Sequence, residues 1–253
     1  KLFAQACAVL LMMWGTGIHI DKIAYLSDGS VLSLGMFGYG LTLIAVVGLV
    51  NAFNMSDGID GLAGMLALIS TIALGAMITL MGRELVHEVY LDIFMGAIAG
   101  YLLINLSIVS KRKVFLGDAG SMMIGFICAW IAIYYSQLPI NKALPPSMAL
   151  WIFAIPIIDT LTLMIRRLFL KRSPFSADRK HLHHIFMRLG MRPRQTLAII
   201  ILIASVFIVL GFTIYLILGD LAALVAFITM LFVYYFAVKR AWRVVRFIRK
   251  LVF

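Results

Sequence analysis

The chain has 253 residues, of which 63% are hydrophobic and 13% charged. Soluble globular domains run at about 45–50% apolar and about 25% charged, so a soluble domain, a disordered chain, a coiled coil and a secreted disulfide scaffold are all excluded. The net charge of +11 reflects 22 Lys and Arg against 11 Asp and Glu, and its meaning depends on where the basic residues fall.

Apolar windows predict helices over 2–20, 34–53, 62–82, 91–108, 122–138, 147–166, 197–218 and 221–238, each close to the roughly 20 residues that a bilayer crossing needs. The expected fold is all-α: a polytopic integral membrane protein with about eight transmembrane helices and no soluble second domain. With eight crossings, both ends share one side. The connections on that side hold 19 of the 22 basic residues, namely Lys1, Lys111, Arg112, Lys113, nine over 166–194 and six over 239–250. The opposite connections hold Lys22, Arg83 and Lys142. The positive-inside rule makes the basic side cytoplasmic, with both termini on it. The positive charge is therefore a topology signal and calls for no nucleic acid, although it also attracts membrane lipids with anionic headgroups and phosphate ligands.

Two polar segments stand out between the spans. A long cytoplasmic loop runs over 166–196, and 239–253 interleaves basic and apolar residues at helical spacing, as an amphipathic helix on the inner leaflet would. Cys7 and Cys128 lie within apolar runs and build no disulfide framework. Lys1 is not an initiator Met, and 2–20 is too long for the core of a signal peptide. The expectation is that Lys1 is an internal residue of a longer natural chain.

Six acids, Asp21, Asp28, Glu84, Glu88, Asp92 and Asp220, fall in or beside the outer connections, where solvation explains them. The other five, Asp57, Asp60, Asp118, Asp159 and Asp178, are cytoplasmic, four of them at or inside span boundaries. Carboxylates are costly near the hydrocarbon, which makes each of these a candidate for function.

Asn51, Asn54, Asp57 and Asp60 recur every three residues between the second and third spans, with Gly58 and Gly61 among them. Oxygen ligands beside small residues suit Mg²⁺, a pyrophosphate or a ribose; a simple helix cap is the alternative. Gly117, Asp118, Gly120 and Ser121 open the fifth span after the basic cluster, where a helix N-terminus favours anions. Asp159 sits seven residues before Arg166, about 10 Å below the cytoplasmic end of its helix, and Pro156 predicts a local unwinding beside it. Arg166 and Arg167, followed by Asp178, Arg179, Lys180, His181, His183 and His184, offer forked donors and near-neutral imidazoles to a phosphate. Zinc is disfavoured there because no cysteine or second acid stands at ligand spacing.

Together, 51–63 (NAFNMSDGIDGLA), 114–126 (VFLGDAGSMMIGF), 155–167 (IPIIDTLTLMIRR), 173–184 (SPFSADRKHLHH) and 239–243 (KRAWR) resemble the polyprenyl-phosphate N-acetylhexosamine-1-phosphate transferases over nearly the whole chain. The resemblance is closest to the bacterial branch that transfers N-acetylglucosamine (GlcNAc) 1-phosphate to undecaprenyl phosphate. It implies one membrane-embedded transferase domain over 1–253, in the bacterial inner membrane, with its active site on the cytoplasmic face. The implied partners are UDP-GlcNAc and undecaprenyl phosphate, the products undecaprenyl-pyrophosphoryl-GlcNAc and UMP, and the setting cell-surface polysaccharide synthesis.

The resemblance further implies catalytic roles for Asp57, Asp60, Asp118 and His181. It gives Mg²⁺ or Mn²⁺ as cofactor, with Asp118 and Asp57 as ligands. Asn54, Asp60, Asn105, Phe115, Arg167, His181, His183 and His184 are the implied substrate-binding residues. Family members also carry an Asp-Asp-x-x-Asp motif ahead of the span that Leu2 begins. No Asp-Asp pair occurs in these 253 residues, so the motif and the first spans are expected upstream of Lys1. Another UDP-N-acetylhexosamine or UDP-MurNAc-pentapeptide as donor stays open, as does a homo-oligomer. A transporter needs polar groups through the midplane, and a structural subunit would not bind nucleotide.

Overall fold

A computed structural model describes residues 1–81, 88–137, 144–171, 173 and 181–252, with only the backbone at 88 and over 241–252. Arg83, Glu84, Lys142, Asp178, Arg179 and Lys180 lie outside the described residues, as do the side chains of the basic residues over 243–250.

The chain runs α1 (Leu2–Thr16), β1 (Lys22–Tyr25), β2 (Val31–Ser33), α2 (Phe37–Ser56), α3 (Leu62–Leu80), α4 (Glu88–Asn105), α5 (Gly117–Gln137), α6 (Pro146–Ile152), α7 (Ala154–Phe169), α8 (Leu182–Arg188), α9 (Pro193–Leu218) and α10 (Asp220–Val252). Helix covers most of each of the eight predicted windows among the described residues. Five helices, α2, α3, α5, α9 and the Asp220–Arg240 part of α10, are long and apolar enough to cross a membrane, or six crossings if α6 and α7 count as one. Helix α1 and Val89–Asn105 are apolar but shorter. The exterior is itself apolar, with Phe3, Trp14, Phe37, Ile44, Val209 and Leu216 all exposed. A surface of that kind suits lipid rather than water.

Helices α2 and α5 pack at the centre. At Gly125 an added Cβ would lie 2.8 Å from Val50 Cα, so the absence of a side chain lets the two backbones meet, the small-residue packing common between membrane helices. Trp151, 1% exposed, lies against Gly211 of α9 and donates its indole N–H to the Ala223 carbonyl of α10 at 2.9 Å.

The structure departs from the sequence reading in three places. The window over 147–166 is two helices, bent by 82° at Phe153. Pro156 is the cause, but the break precedes it. A proline has no N–H for the carbonyl four residues earlier, here that of Ile152. That orphaned carbonyl is met from outside the helix by the Ser70 hydroxyl of α3 at 2.8 Å. The second departure is the antiparallel β1–β2 hairpin, which the all-α expectation missed. The third is Asp220, read as a solvated loop acid but 4% exposed. It accepts from the Tyr25 N–H at 2.8 Å and from the N–H and hydroxyl of Ser147, tying hairpin, α6 and α10 together at the end of the bundle remote from Asp57.

Residues 239–252 continue α10 without a break. The C-terminal part of α10 packs toward α8, where Ile185 and Val238 are buried together against Tyr234.

Candidate active site

Three segments meet at one end of the bundle. The first is the turn from α2 into α3: Asp57 closes α2, and Gly61 starts α3 with φ +79°, a left-handed conformation natural to glycine. Its carboxylates crowd together. Burial, and then the negative charges of Asp118 and Asp60, push the Asp57 carboxyl above its ordinary value. Asp60 pairs with the Lys113 ammonium at 2.5 Å.

The second segment is the start of α5. Asp118 lies in its first turn, where the helix dipole favours a carboxylate. The Asn54 amide donates to Asp118 Oδ1 at 3.1 Å and to the Ser121 hydroxyl at 2.9 Å, and Lys1 pairs with Asp118 Oδ2. Asn54 thus orients Asp118 rather than standing apart from it.

The third segment carries the histidines. Helix α8 begins at His181, and an added Cβ on Gly58 would lie 2.2 Å from His183 Nε2. The imidazole of His183 therefore rests on the Asp57–Asp60 turn and needs a glycine beneath it. His183 stands parallel to His181, ring centres 5.9 Å apart and planes within 6°, and against His184 at 4.1 Å. Burial, then the neighbouring His184 and His181, pull the His183 imidazole down to about 4, with Asp159 opposing. It is therefore neutral at pH 7. His181 Nδ1 lies 2.8 Å from Asp159 Oδ2. Arg167 is buried in the last turn of α7.

A cavity of about 230 Å³ lies over the turn, lined by Asp57, Gly58, Ile59, Asp60, Tyr101, Asn105, Phe115 and Leu116. Asp60 and Asn105 also line a neighbouring cavity of about 370 Å³ with Lys113, Arg192 and Arg194. The Asn105 amide nitrogen donates to the Val114 carbonyl at 2.8 Å, and its buried Oδ1 has no partner among the described residues. Phe115, 72% exposed, presents a free aromatic face. Among the described residues, neither lining includes Arg167 or the three histidines.

The sequence reading had Asp57, Asp60, Asp118, Asn54, Asn105, Phe115 and the histidines as candidates, and the structure gathers them at this end. It did not single out Tyr101, Lys113, Arg192 or Arg194 as site residues. Lys113, Arg192 and Arg194 were legible only as part of the positive cytoplasmic charge. Asp159 was noticed alone, without its histidine partner.

The donor set here is hard and oxygen-rich. Among the described residues, no three His, Cys, Asp or Glu side chains group as a complete metal cage. Mg²⁺ needs none, since it takes one or two carboxylates and completes its shell with water and phosphate oxygens. The crowding that raises Asp57 is what a divalent cation would relieve, so Asp57 and Asp118 fit such an ion.

Comparisons with known proteins find relatives along nearly the whole chain. The family described as glycosyl transferase family 4 matches residues 1–136. The undecaprenyl-phosphate alpha-N-acetylglucosaminyl 1-phosphate transferase of Salmonella typhi is 40% identical over 253 residues, covering 99% of this chain and 68% of the relative. The enzyme of the same name from Escherichia coli K12 is 39% identical over 256 residues, covering 97% and 67%. That of Haemophilus influenzae is 36% identical over 258 residues, covering 98% and 70%. With more than half of its length matched by the family and with relatives at this identity along nearly all of it, the chain belongs to glycosyl transferase family 4.

Proposed function

We propose that the protein transfers GlcNAc 1-phosphate from UDP-GlcNAc to undecaprenyl phosphate, releasing UMP and leaving undecaprenyl-pyrophosphoryl-GlcNAc in the bacterial inner membrane. The observation that carries this reading is the meeting of the Asp57–Asp60 turn, Asp118 and the histidine segment in one place, in a chain whose relatives bear that activity in their names.

In the reaction, an oxygen of undecaprenyl phosphate attacks the sugar-bearing phosphorus of the donor. The phosphoanhydride bond to UMP breaks, and the bond between sugar and phosphate is kept. An anion attacks an already anionic centre, so positioning and charge neutralisation dominate the catalysis. Asp118, held by Asn54, and Asp57 would ligate Mg²⁺ or Mn²⁺, and an ion held there would supply positive charge against the phosphates and the leaving UMP. Lys113, Arg192 and Arg194 line the cavity beside Asp60 and supply fixed positive charge for the phosphates. Asn105 Oδ1, an acceptor without a partner among the described residues, suits an imide N–H, and the exposed Phe115 ring suits a base stacked upon it. His181, His183, His184 and Arg167 complete the donor side, nearest the sugar and its phosphates.

This reading includes eight crossings, with α1, α4 and the α6–α7 pair among them, and a cytoplasmic site. The support is electrostatic and geometric. Lys1 pairs with Asp118 at the site end, and Val238, in the second half of α10, packs against Ile185 of α8 beside the histidines. In this reading both ends of the chain lie on the site's side, and the positive-inside rule makes that side cytoplasmic.

The test is transfer by the full-length protein in phospholipid vesicles containing undecaprenyl phosphate. With UDP-GlcNAc and Mg²⁺, solvent-extractable lipid-linked GlcNAc and UMP should appear in equal amounts. UMP release without labelled lipid, or no product at all, would refute the reading. Product only with UDP-MurNAc-pentapeptide or another UDP-N-acetylhexosamine would move the donor assignment within the family.

A further inference from the structure

Asp159 lies within α7 and is 7% exposed, yet every contact it makes points to one purpose. Its Oδ1 accepts the backbone N–H of Leu182 at 3.1 Å and the hydroxyl of Tyr234 from α10 at 3.0 Å. Its Oδ2 is 2.8 Å from His181 Nδ1. One carboxylate therefore receives the first backbone N–H of α8, the ring of the residue before it, and a hydroxyl from a third helix. A carboxylate in apolar surroundings is stabilised by just such donors and is costly without them.

The chemistry fixes the tautomer. An ionised carboxylate has only acceptor sites, so the hydrogen between Oδ2 and Nδ1 belongs to the imidazole. Nδ1 is thereby committed as a donor, and Nε2 is left as the working nitrogen: an acceptor while the ring is neutral, a charge-assisted donor once it is protonated. The N–H contact to Leu182 fixes the backbone at the same point, so the ring and the start of α8 are set together.

We infer that Asp159 is a positioning residue, which holds His181 in the Nδ1–H form and so makes Nε2 the nitrogen that meets the substrate. Tyr234 is its support from α10. The inference rests on the proposed transferase activity only for its kinetic consequence; the tautomer itself is a property of the free protein.

The decisive variant is Asp159→Asn, which keeps the shape. Its Oδ1 can still accept from Leu182 and Tyr234, while its amide N–H₂ faces Nδ1 and donates to it, reversing the tautomer. The experiment uses the full-length protein in phospholipid, with ¹⁵N-labelled histidine read by NMR and the His181 signals assigned by their loss in His181→Gln. Wild type should show a protonated Nδ1 and a bare Nε2, and Asp159→Asn the reverse. In the transfer assay, kcat of Asp159→Asn should fall by about 100-fold or more, toward the roughly 10⁴-fold loss known where a carboxylate that sets a histidine tautomer is neutralised, while the KM for UDP-GlcNAc changes less than about threefold. Wild-type His181 protonated on Nε2, or an Asp159→Asn protein with unchanged kcat, overturns the inference. Should Asp159→Asn not fold, the wild-type tautomer alone decides. A wild type that makes no product refutes the transferase reading instead, and the tautomer measured without substrate still decides this one.

Discussion

Gly58→Ala puts the smallest possible group between the aspartate turn and the histidine segment. The new Cβ would sit 2.2 Å from His183 Nε2, 2.7 Å from Cε1 and 3.1 Å from Cδ2. Ordinary contact begins near 3.4 Å, so ring and turn must separate by about 1.2 Å. The ring has little room to give, because His183 is 3% exposed and lies between His181, parallel to it, and His184, tilted against it. Overpacking of this kind costs about 1–3 kcal/mol, which is roughly 5- to 150-fold in the population of the docked arrangement. We expect kcat/KM for lipid-linked GlcNAc formation to fall within that range in proteoliposomes. The control is Gly96→Ala, where a Cβ meets nothing within 4 Å and activity should hold. Activity of Gly58→Ala within about twofold of wild type would show that the histidines need not rest on the turn, and the reasoning from this contact would fail.

Three further outcomes are expected. Asp118→Asn should lower kcat by about 100-fold or more while the protein stays folded in the membrane by tryptophan fluorescence; near-normal Mg²⁺-dependent turnover would remove Asp118 from the site. Ser70→Ala should leave the Ile152 carbonyl unmatched in an apolar interior at a cost of about 1–3 kcal/mol, visible as a lower melting temperature, and an unchanged melting temperature would contradict the account of the bend. Because His183 is drawn down from 6.5 to about 4, the folded state binds its proton less readily than the unfolded one, so the stability tied to it is complete above pH 6.5 and is lost as pH falls toward 4, by up to about 3 kcal/mol. The same acid titration on His183→Gln should lack that component, and identical pH profiles for the two proteins would refute the cause.

Hydropathy made the helices legible because a bilayer-length apolar run leaves the backbone few other ways to satisfy its hydrogen bonds. It carried no trace of the 82° bend, since Phe153 and its neighbours are as apolar as the rest of the window. Pro156 did signal a defect, but its effect falls on a carbonyl four residues upstream, and the group that completes that carbonyl, Ser70, comes from another helix. The hairpin had a local marker in Asp28-Gly29, with Gly29 at φ +85°, overlooked beside the surrounding apolar runs. Much of the site was readable because carboxylates beside glycines at a membrane boundary are rare enough to stand out. The Asp159–His181 pair was not, since its members stand 22 positions apart in the sequence, one within α7 and the other at the start of α8. Arg192 and Arg194 were hidden for a different reason: in a strongly basic loop, charge alone does not tell which arginines line a cavity.

The two fastenings of α10 have a consequence for how the protein meets membranes of different thickness. Asp220 anchors the start of the helix to Tyr25 and Ser147, and Tyr234 anchors its middle to Asp159. These points are fourteen residues apart, about 21 Å along the axis at 1.5 Å per residue. A helix held at two such points cannot tilt, slide or rotate to match a thicker or thinner hydrocarbon layer without tearing buried polar contacts at one of them. Mismatch must then be absorbed by the lipid around α10 or by the helices that lack such anchors, at a modest cost for each ångström. Transfer activity measured across phosphatidylcholines of increasing acyl length should therefore peak sharply at one bilayer thickness. Breaking the remote anchor with Asp220→Asn should broaden that peak, although Asp220 lies at the opposite end of the bundle from Asp57 and Asp118.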